Sequence, residues 1–289
     1  MGTADTTPSA QRQQRLADVA ASRRVPVLVV GGGIIGAGLL RDLALQGIPA
    51  LLVERGDFGS GATAGPSRMI HGGLRYLEHG DFRLVKESVT ERNLLLTTAP
   101  HMVFPLPTTV PLCSWFSGLG SILCKLAHIP AKRPSARGAA VVKAGLLLYD
   151  FLGRETRVMP KHHVALKGTA LARRPGLRPD IIGTATYYDA WISYPERLVL
   201  ELLLDAEAAC PGTTALSYTS LTGGAGTTVT LRDELNGATI EVEPDLVVNA
   251  TGAWIDTING RLGSETKLIG GTKGGHLILD HPELAEALG

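Results

Sequence analysis

VLVVGGGIIGAG, residues 27–38, opens with four aliphatic residues and passes directly into a run of glycines. A continuous apolar run bounded by a glycine turn marks a parallel strand buried on both faces. Gly31, Gly33 and Gly36 fit the spacing G-x-G-x-x-G. LLRDLALQG follows to Gly47 with helical spacing and a glycine stop. A second apolar strand, ALLVE at 50–54, ends on an acid 21 residues after Gly33. Strand, glycine turn, helix, strand and terminal acid form one complete unit.

Each part of that unit has a physical reason. The glycines let the backbone turn tightly and approach a pyrophosphate, and the helix start supplies N–H groups and a positive dipole end. The Glu54 carboxylate can accept hydrogen bonds from a ribose and disfavours a 2′-phosphate. The unit predicts an α/β fold with a Rossmann-like dinucleotide site. It does not by itself separate NAD from FAD, and two later stretches favour FAD. RGDFGSGATAGPS, residues 55–67, is a loop of small and hydroxyl residues suited to run close along a long ligand. DLVVNATGAWID, residues 245–256, is a buried strand ending in Asn-Ala-Thr-Gly before a helix, some 200 residues downstream, as if the chain returned to the nucleotide sheet.

The totals bound the rest. The chain has 289 residues, which suggests about two domains. A formal net charge of +1 gives no support to a nucleic-acid partner. Three cysteines, Cys113, Cys124 and Cys210, have neither CxxC nor metal-ligand spacing. They predict a reduced compartment, no disulfide framework and no metal site. Residues 1–24 are polar, lack the apolar core of a secretory signal and read as a flexible tail. No stretch reaches the ~18 apolar residues that span a bilayer. Residues 110–130 are apolar and small, with Lys125, Lys132, Arg133, Arg137 and Lys143 in and after them. They read either as a buried segment beside a solvated basic stretch or as a peripheral contact with an anionic membrane. GTTVTLRD and ATIEVE, around 226–243, alternate about Asn236-Gly237 and predict a hairpin. RLVLELLLDAEAAC, from 197, predicts an amphipathic helix over the nucleotide sheet.

SRMIHGGLRYLE, residues 67–78, places a histidine, paired glycines and two arginines in an apolar frame. With VGGGIIGAGLLRDLALQG before it and LLLYDFLG, NATGAW and KGGH after it, this string resembles the FAD-dependent glycerol-3-phosphate dehydrogenases of the membrane-associated, quinone-linked type. The resemblance runs from about Pro26 to His276. It implies an FAD-binding domain of the glutathione-reductase/D-amino-acid-oxidase type, interleaved with a substrate domain on an antiparallel sheet. It implies oxidation of glycerol 3-phosphate to dihydroxyacetone phosphate by hydride transfer to flavin N5, with quinone as acceptor. It places the protein in the cytoplasm, or peripherally on the inner face of the cell membrane. On that pattern Gly31, Gly33, Gly36, Glu54 and Arg55 hold the ADP half of FAD. Thr63, Ser67, Gly72 and Gly73 lie along the pyrophosphate and flavin, and Ala250 and Gly252 belong to the returning strand at the cofactor. Arg75 and Tyr76 match the substrate side, where a guanidinium pairs bidentately with phosphate. His71 is either a flavin contact or an imidazole satisfied in the core. No catalytic base is assigned.

The sequence departs from the family at Ile35, Leu40 and Gln46, at YPER (194–197) and at Gly275, and its 113–145 segment is longer and more basic than expected. Family members run to about 500 residues or more. The chain therefore reads as an N-terminal part, truncated within a substrate-domain strand begun by GGHLILD, and its activity alone is in doubt. A non-catalytic FAD-binding remnant, half of a split enzyme, and an amine-oxidising or NAD-linked enzyme are the alternatives. The implied division is a tail at 1–24, FAD-domain parts at 25–105 and 185–266, a substrate segment at 106–184 and an incomplete sheet at 267–289. Neither composition nor motif sets an oligomeric state.

Overall fold

A computed structural model describes residues 8–117, 138–272 and 274–283. Its contacts divide the chain into two compact units: Met1–Ser67 with Tyr194–Gly275, and Arg68–Ser193 with His276–Gly289.

The first unit begins with helix α1 (Pro8–Ser22), strand β1 (Arg24–Val30), helix α2 (Ile34–Leu45) and strand β2 (Ala50–Val53). The chain leaves it at Ser67. The second unit holds β3 (Met69–Ile70), a 3-10 turn (Leu74–His79), α3 (Phe82–Thr98), β4 (Val103–Leu112), α4 (Ala139–Leu152), β5 (His163–Leu166), α5 (Lys167–Arg173) and β6 (Gly183–Ile192). The chain then returns to the first unit with α6 (Pro195–Ala209), β7 (Thr214–Leu216), β8 (Thr219–Ala225), β9 (Thr228–Asp233), β10 (Thr239–Asn249), a 3-10 turn (Gly252–Trp254) and α7 (Ile255–Arg261).

The first unit is a six-stranded sheet in the order β7-β2-β1-β10-β9-β8. The β7-β2-β1-β10 portion is parallel, and the β10-β9-β8 portion is antiparallel. On one face, Val27, Val29 and Leu52 pack with Ala37, Leu40 and Ala44 of α2 and Val199, Leu203 and Ala206 of α6. On the other, Leu28, Val30 and Leu51 pack with Leu16 of α1 and Ile258 of α7. The carboxyl half of β1 and the whole of β2 read as unbroken apolar runs because both faces are covered there. The hairpin expected about Asn236-Gly237 joins β9 to β10, with Gly237 at φ 78°.

The reading of residues 1–24 as a flexible tail is corrected for residues 8–22, which are helical. Arg12 anchors that helix. Its guanidinium donates to Asp233 Oδ1 at 2.8 Å, to Ser217 O at 3.0 Å and to Tyr218 O at 2.9 Å, while Leu16 is buried in the core. Leu16, with Val19 packed beside it, and a half-buried guanidinium leave too little apolar periodicity for a sequence pattern to register.

The boundary expected at residues 105/106 falls inside β4, and that expected at 184/185 falls inside β6. The crossings lie instead at 67/68 and 193/194. In the second unit β6 pairs with β4 along its whole length, and on its other side with β3 and β5. Pro105, Pro107 and Pro111 are tolerated in β4 because it lies at the sheet edge, where a missing N–H leaves no ladder bond unmade. Residues 274–280, expected to begin a strand, carry none; Leu277 and Ile278 are exposed. A strand requires a hydrogen-bonded neighbour, and this stretch has none among the described residues. Residues 267–269 are held by a side chain instead: Asp256 accepts from Thr266 Oγ1 at 2.6 Å, Leu268 N at 2.9 Å and Ile269 N at 3.0 Å. These bonds hold its carboxyl below the usual range. Most of the basic segment at 113–145, residues 118–137 with Cys124, lies outside the described residues.

Candidate functional site

Three parallel strands, β2, β1 and β10, end side by side, and most first-unit candidates lie at their carboxyl ends. From β1 the chain goes through α2 to β2 on one side, whereas β10 lies on the other. Such a reversal of strand order opens a crevice at the strand ends. Gly31 N donates to Val53 O and Ala250 N to Val30 O, both at 2.8 Å, so the two turns start in register.

Two glycines of the motif are required by contact. Gly31 stands at φ 111°, and a Cβ there would lie 2.7 Å from Ala250 O. A Cβ on Gly36 would lie 1.9 Å from Gly31 O, so α2 could not rest on the turn. At the start of α2, Gly33 offers no side-chain cap. Ile34 N instead donates to Thr63 Oγ1 at 3.1 Å, which brings the 55–67 loop to the helix start. The first N–H groups of a helix have no intrahelical acceptor, and together with the dipole they favour an anion.

Glu54, half-buried at the end of β2, accepts from Gly32 N at 2.8 Å and Gly56 N at 3.0 Å. A carboxylate has about four lone-pair sites, so two remain for ribose hydroxyls. Arg55 lies over the ring of Trp254, 4.5 Å from its centroid. Gly252 stands at φ 56°. Ser67 is exposed at the last position of this unit's first segment.

Sequence reasoning treated Asn249 as part of a marker string and gave it no role. Its Nδ2 donates to Ile255 O at 2.9 Å and Asn259 Oδ1 at 2.7 Å. Its Oδ1 accepts from Thr251 N at 3.2 Å and Thr251 Oγ1 at 2.6 Å. Asn249 thus pins the Ala250–Gly252 turn to α7. An asparagine closing an apolar strand is the signal that could have found it, although this strand end, expected to be buried, is half-buried to exposed, with Leu246 at 56% exposure.

The remaining candidates belong to the second unit. His71 is exposed, with its ring 6.3 Å from that of the exposed Tyr76. Arg75 lies on the 3-10 turn, and its side chain lies outside the described residues. Gly73 stands at φ 72° and opens that turn. Gly72 has a cause within the chain: a Cβ there would lie 2.0 Å from Tyr149 Oη and 2.7 Å from Val89 Cγ2. Its N–H donates to Asp189 Oδ1 at 2.9 Å. The same oxygen accepts from Tyr149 Oη at 2.8 Å and Arg92 Nη1 at 3.0 Å. Arg92 and Asp189 are both buried, at 4% and 2% exposure. The other guanidinium nitrogens of Arg92 bond Asn93 Oδ1 at 3.2 and 2.9 Å. Burial first, then the Asp189 charge, pushes the Tyr149 hydroxyl far above its ordinary pKa, and burial pushes Tyr187 up to about 12. Tyr149 is therefore a neutral donor at physiological pH. This trio holds the backbone of the Ile70–Gly73 segment, and its members are too far apart in sequence for any local pattern to unite them.

These geometries fit what comparison finds. Residues 26–289 match the FAD dependent oxidoreductase family. A glycerol-3-phosphate dehydrogenase of Synechocystis sp. is 37% identical over 275 residues, covering 88% of this chain and 45% of the relative. A D-erythritol 1-phosphate dehydrogenase of Brucella abortus is 31% identical over 263 residues, covering 88% of this chain and 47% of the relative. The chain thus spans about half the length of the curated relatives it matches, or less. Among solved structures, a glycerol-3-phosphate dehydrogenase from Bacillus halodurans complexed with FAD superposes with a TM-score of 0.58 at 22% identity. That match covers 87% of this chain and 38% of the other, and the likeness is one of fold.

Proposed function

Because the chain belongs to the FAD-dependent oxidoreductase family, we propose that it holds the ADP portion of FAD at the ends of β1, β2 and β10 and serves the oxidation of a polyol phosphate, glycerol 3-phosphate first among them. The observation that carries the cofactor reading is a helix start whose N-cap, Gly33, supplies no side-chain acceptor, over a turn that admits no Cβ at Gly31 or Gly36, with Glu54 at the adjoining strand end. The N–H groups of α2 and the Thr63 hydroxyl would hold the pyrophosphate, and Glu54 the ribose. Bound FAD supplies the two-electron oxidising group. The chain's own part is to bind, orient and exclude water.

Both curated relatives described above are named for a phosphate ester of a polyol, which supports that substrate class here. Arg75 and Tyr76 are the proposed contacts on the phosphate side, with the Asp189–Arg92–Tyr149 trio holding the segment that leads to them. Gly72 and Gly73 allow a close backbone approach to the flavin, and His71 is a candidate flavin contact rather than a base. Quinone as acceptor, a cytoplasmic setting and peripheral contact with the inner membrane face complete the proposal. Their support is the resemblance of the 67–78 string. Among the described residues, no helix is long and apolar enough to cross a membrane.

The test is anaerobic titration of the FAD-loaded chain with glycerol 3-phosphate and, separately, with D-erythritol 1-phosphate. The proposal expects bleaching of the flavin by a polyol phosphate and not by glycerol, and an Arg75→Ala variant with affinity lowered about tenfold or more. Loaded flavin that neither ester bleaches would refute catalysis by this chain. An unchanged affinity in Arg75→Ala would refute the phosphate assignment. Flotation with anionic against neutral liposomes tests the membrane contact, and equal recovery with both removes the electrostatic reading.

A further inference from the structure

The second unit contains a cavity of about 220 Å³ lined by Thr109, His163, Arg173, Arg174, Thr184, Thr186 and their neighbours. None of these residues has been given a part in holding FAD or the polyol phosphate. The cavity follows from strand register. Thr186 on β6 lies opposite Thr109 on β4 and opposite His163 on β5. The three form one row across the sheet, and side chains at i and i±2 share a face, so Thr184 and Tyr188 extend it.

The end of α5 adds positive charge to that row. Arg173 is in its last turn and Arg174 is its C-cap residue. Arg174 Nη1 donates to Thr109 Oγ1 at 2.6 Å, and Thr109 Oγ1 shares a hydrogen bond with Thr186 Oγ1 at 2.9 Å. That chain of bonds fixes one guanidinium over the hydroxyl row before any ligand arrives. Among the described residues, no aspartate or glutamate lines the cavity and neither arginine is paired with a carboxylate. Arginines at a helix end do complement its dipole. That role alone would not place them over a cavity whose other polar lining is hydroxyl and imidazole.

We propose that this cavity is a binding site for a small soluble phosphate-bearing anion. Two guanidinium groups present planar arrays of donors suited to a phosphate, and hydroxyls supply further donors to its oxygens. The volume falls below the ~300 Å³ at which sites for drug-sized ligands begin, which favours inorganic phosphate or a short phosphate monoester over a nucleotide.

The test is isothermal titration of the full chain with inorganic phosphate at constant ionic strength, with chloride as control. Wild type and Arg75→Gln are expected to show the same saturable site, and Arg173→Gln/Arg174→Gln to bind about tenfold more weakly or less. Loss of Arg174's bond to Thr109 could unfold the double variant, which its melting curve reports. The exposed Arg173→Gln variant then carries the test, with binding weakened about fivefold. The proposal is overturned by any of four results: no saturable phosphate binding, binding lost in Arg75→Gln, binding unchanged in whichever arginine variant folds, or binding only to vesicles containing phosphatidic acid. Flavin content measured in the same samples reports on the cofactor reading independently.

Discussion

Replacing Asp189 by asparagine is the sharpest structural perturbation available in the second unit. The side chain keeps its size, so packing in β6 is preserved and the change is one of charge. Asp189 Oδ1 accepts from Gly72 N, Tyr149 Oη and Arg92 Nη1 at 2.9, 2.8 and 3.0 Å. Arg92 is 4% exposed, so removing the carboxylate leaves a guanidinium in the interior with only neutral acceptors, among them Asn93 Oδ1 and Tyr188 O. Breaking a buried pair in this way costs about 3–5 kcal/mol. The three bonds to one oxygen support the upper half of that range, and the neutral acceptors left to Arg92 hold it below a full desolvation penalty. The assay is urea unfolding followed by the fluorescence of Trp191, next but one to Asp189 on β6, in a background with Trp115 and Trp254 changed to phenylalanine. That choice isolates the transition of the second unit in a chain that need not unfold in one step. Arg92→Met with Asp189→Asn should be less destabilised than the sum of the single variants by at least about 1 kcal/mol, because no charge is then stranded. A single-variant cost below about 1 kcal/mol, or strict additivity in the double variant, would refute the assignment of this trio as the charged anchor of the Gly72 segment.

Gly36→Ala places a methyl group where Gly31 O stands, so α2 must lift from β1. Destabilisation of about 1–3 kcal/mol and loss of FAD affinity are expected together, read by melting and by flavin titration. Arg12→Ala should cost about 3 kcal/mol and expose α1 to limited proteolysis, since Asp233 keeps only Gln13 and Leu235 N as partners. For the same pair, burial alone would raise the Asp233 carboxyl, but bonds from Arg12, Leu235 N and Gln13 outweigh it and hold the carboxyl below its ordinary value. A depressed folded-state pKa contributes stability that is fully present above the unfolded value of about 3.9 and is lost as pH falls through the folded one. The stability difference between wild type and Asp233→Asn should therefore be flat above about pH 5 and shrink below about pH 4; a difference that grows on acidification would contradict the pairing.

The nucleotide turn was legible because its constraints are local. β1, the Gly31–Gly36 turn, α2 and Glu54 lie within one stretch, and each has a residue type that few other contexts demand. The Asn236-Gly237 hairpin and α6 were readable for the same reason, from a two-residue turn and from helical periodicity. The Arg92–Asp189–Tyr149 trio was not, because its members meet only when α3, α4 and β6 pack together, 40 to 97 residues apart in sequence. Its consequence was visible without its cause. Gly72 stood out as a glycine in an apolar frame, and the obstruction it avoids is the Tyr149 hydroxyl. The helix at residues 8–22 escaped notice because polar composition signals disorder unless a partner for Arg12 is known, and that partner lies 221 residues away. The boundaries expected at 105/106 and 184/185 fall inside β4 and β6, because the two strands belong together through a pairing that joins residues about 70 to 90 apart and leaves no local mark in the sequence.

The most direct test of the central reading is calorimetric titration of the purified chain with FAD and, in parallel, with NAD. One FAD per chain is expected, with affinity reduced in Glu54→Ala and abolished in Gly31→Val, and no saturable binding of NAD. Saturable NAD binding with no uptake of FAD, or FAD binding indifferent to both substitutions, would contradict that reading.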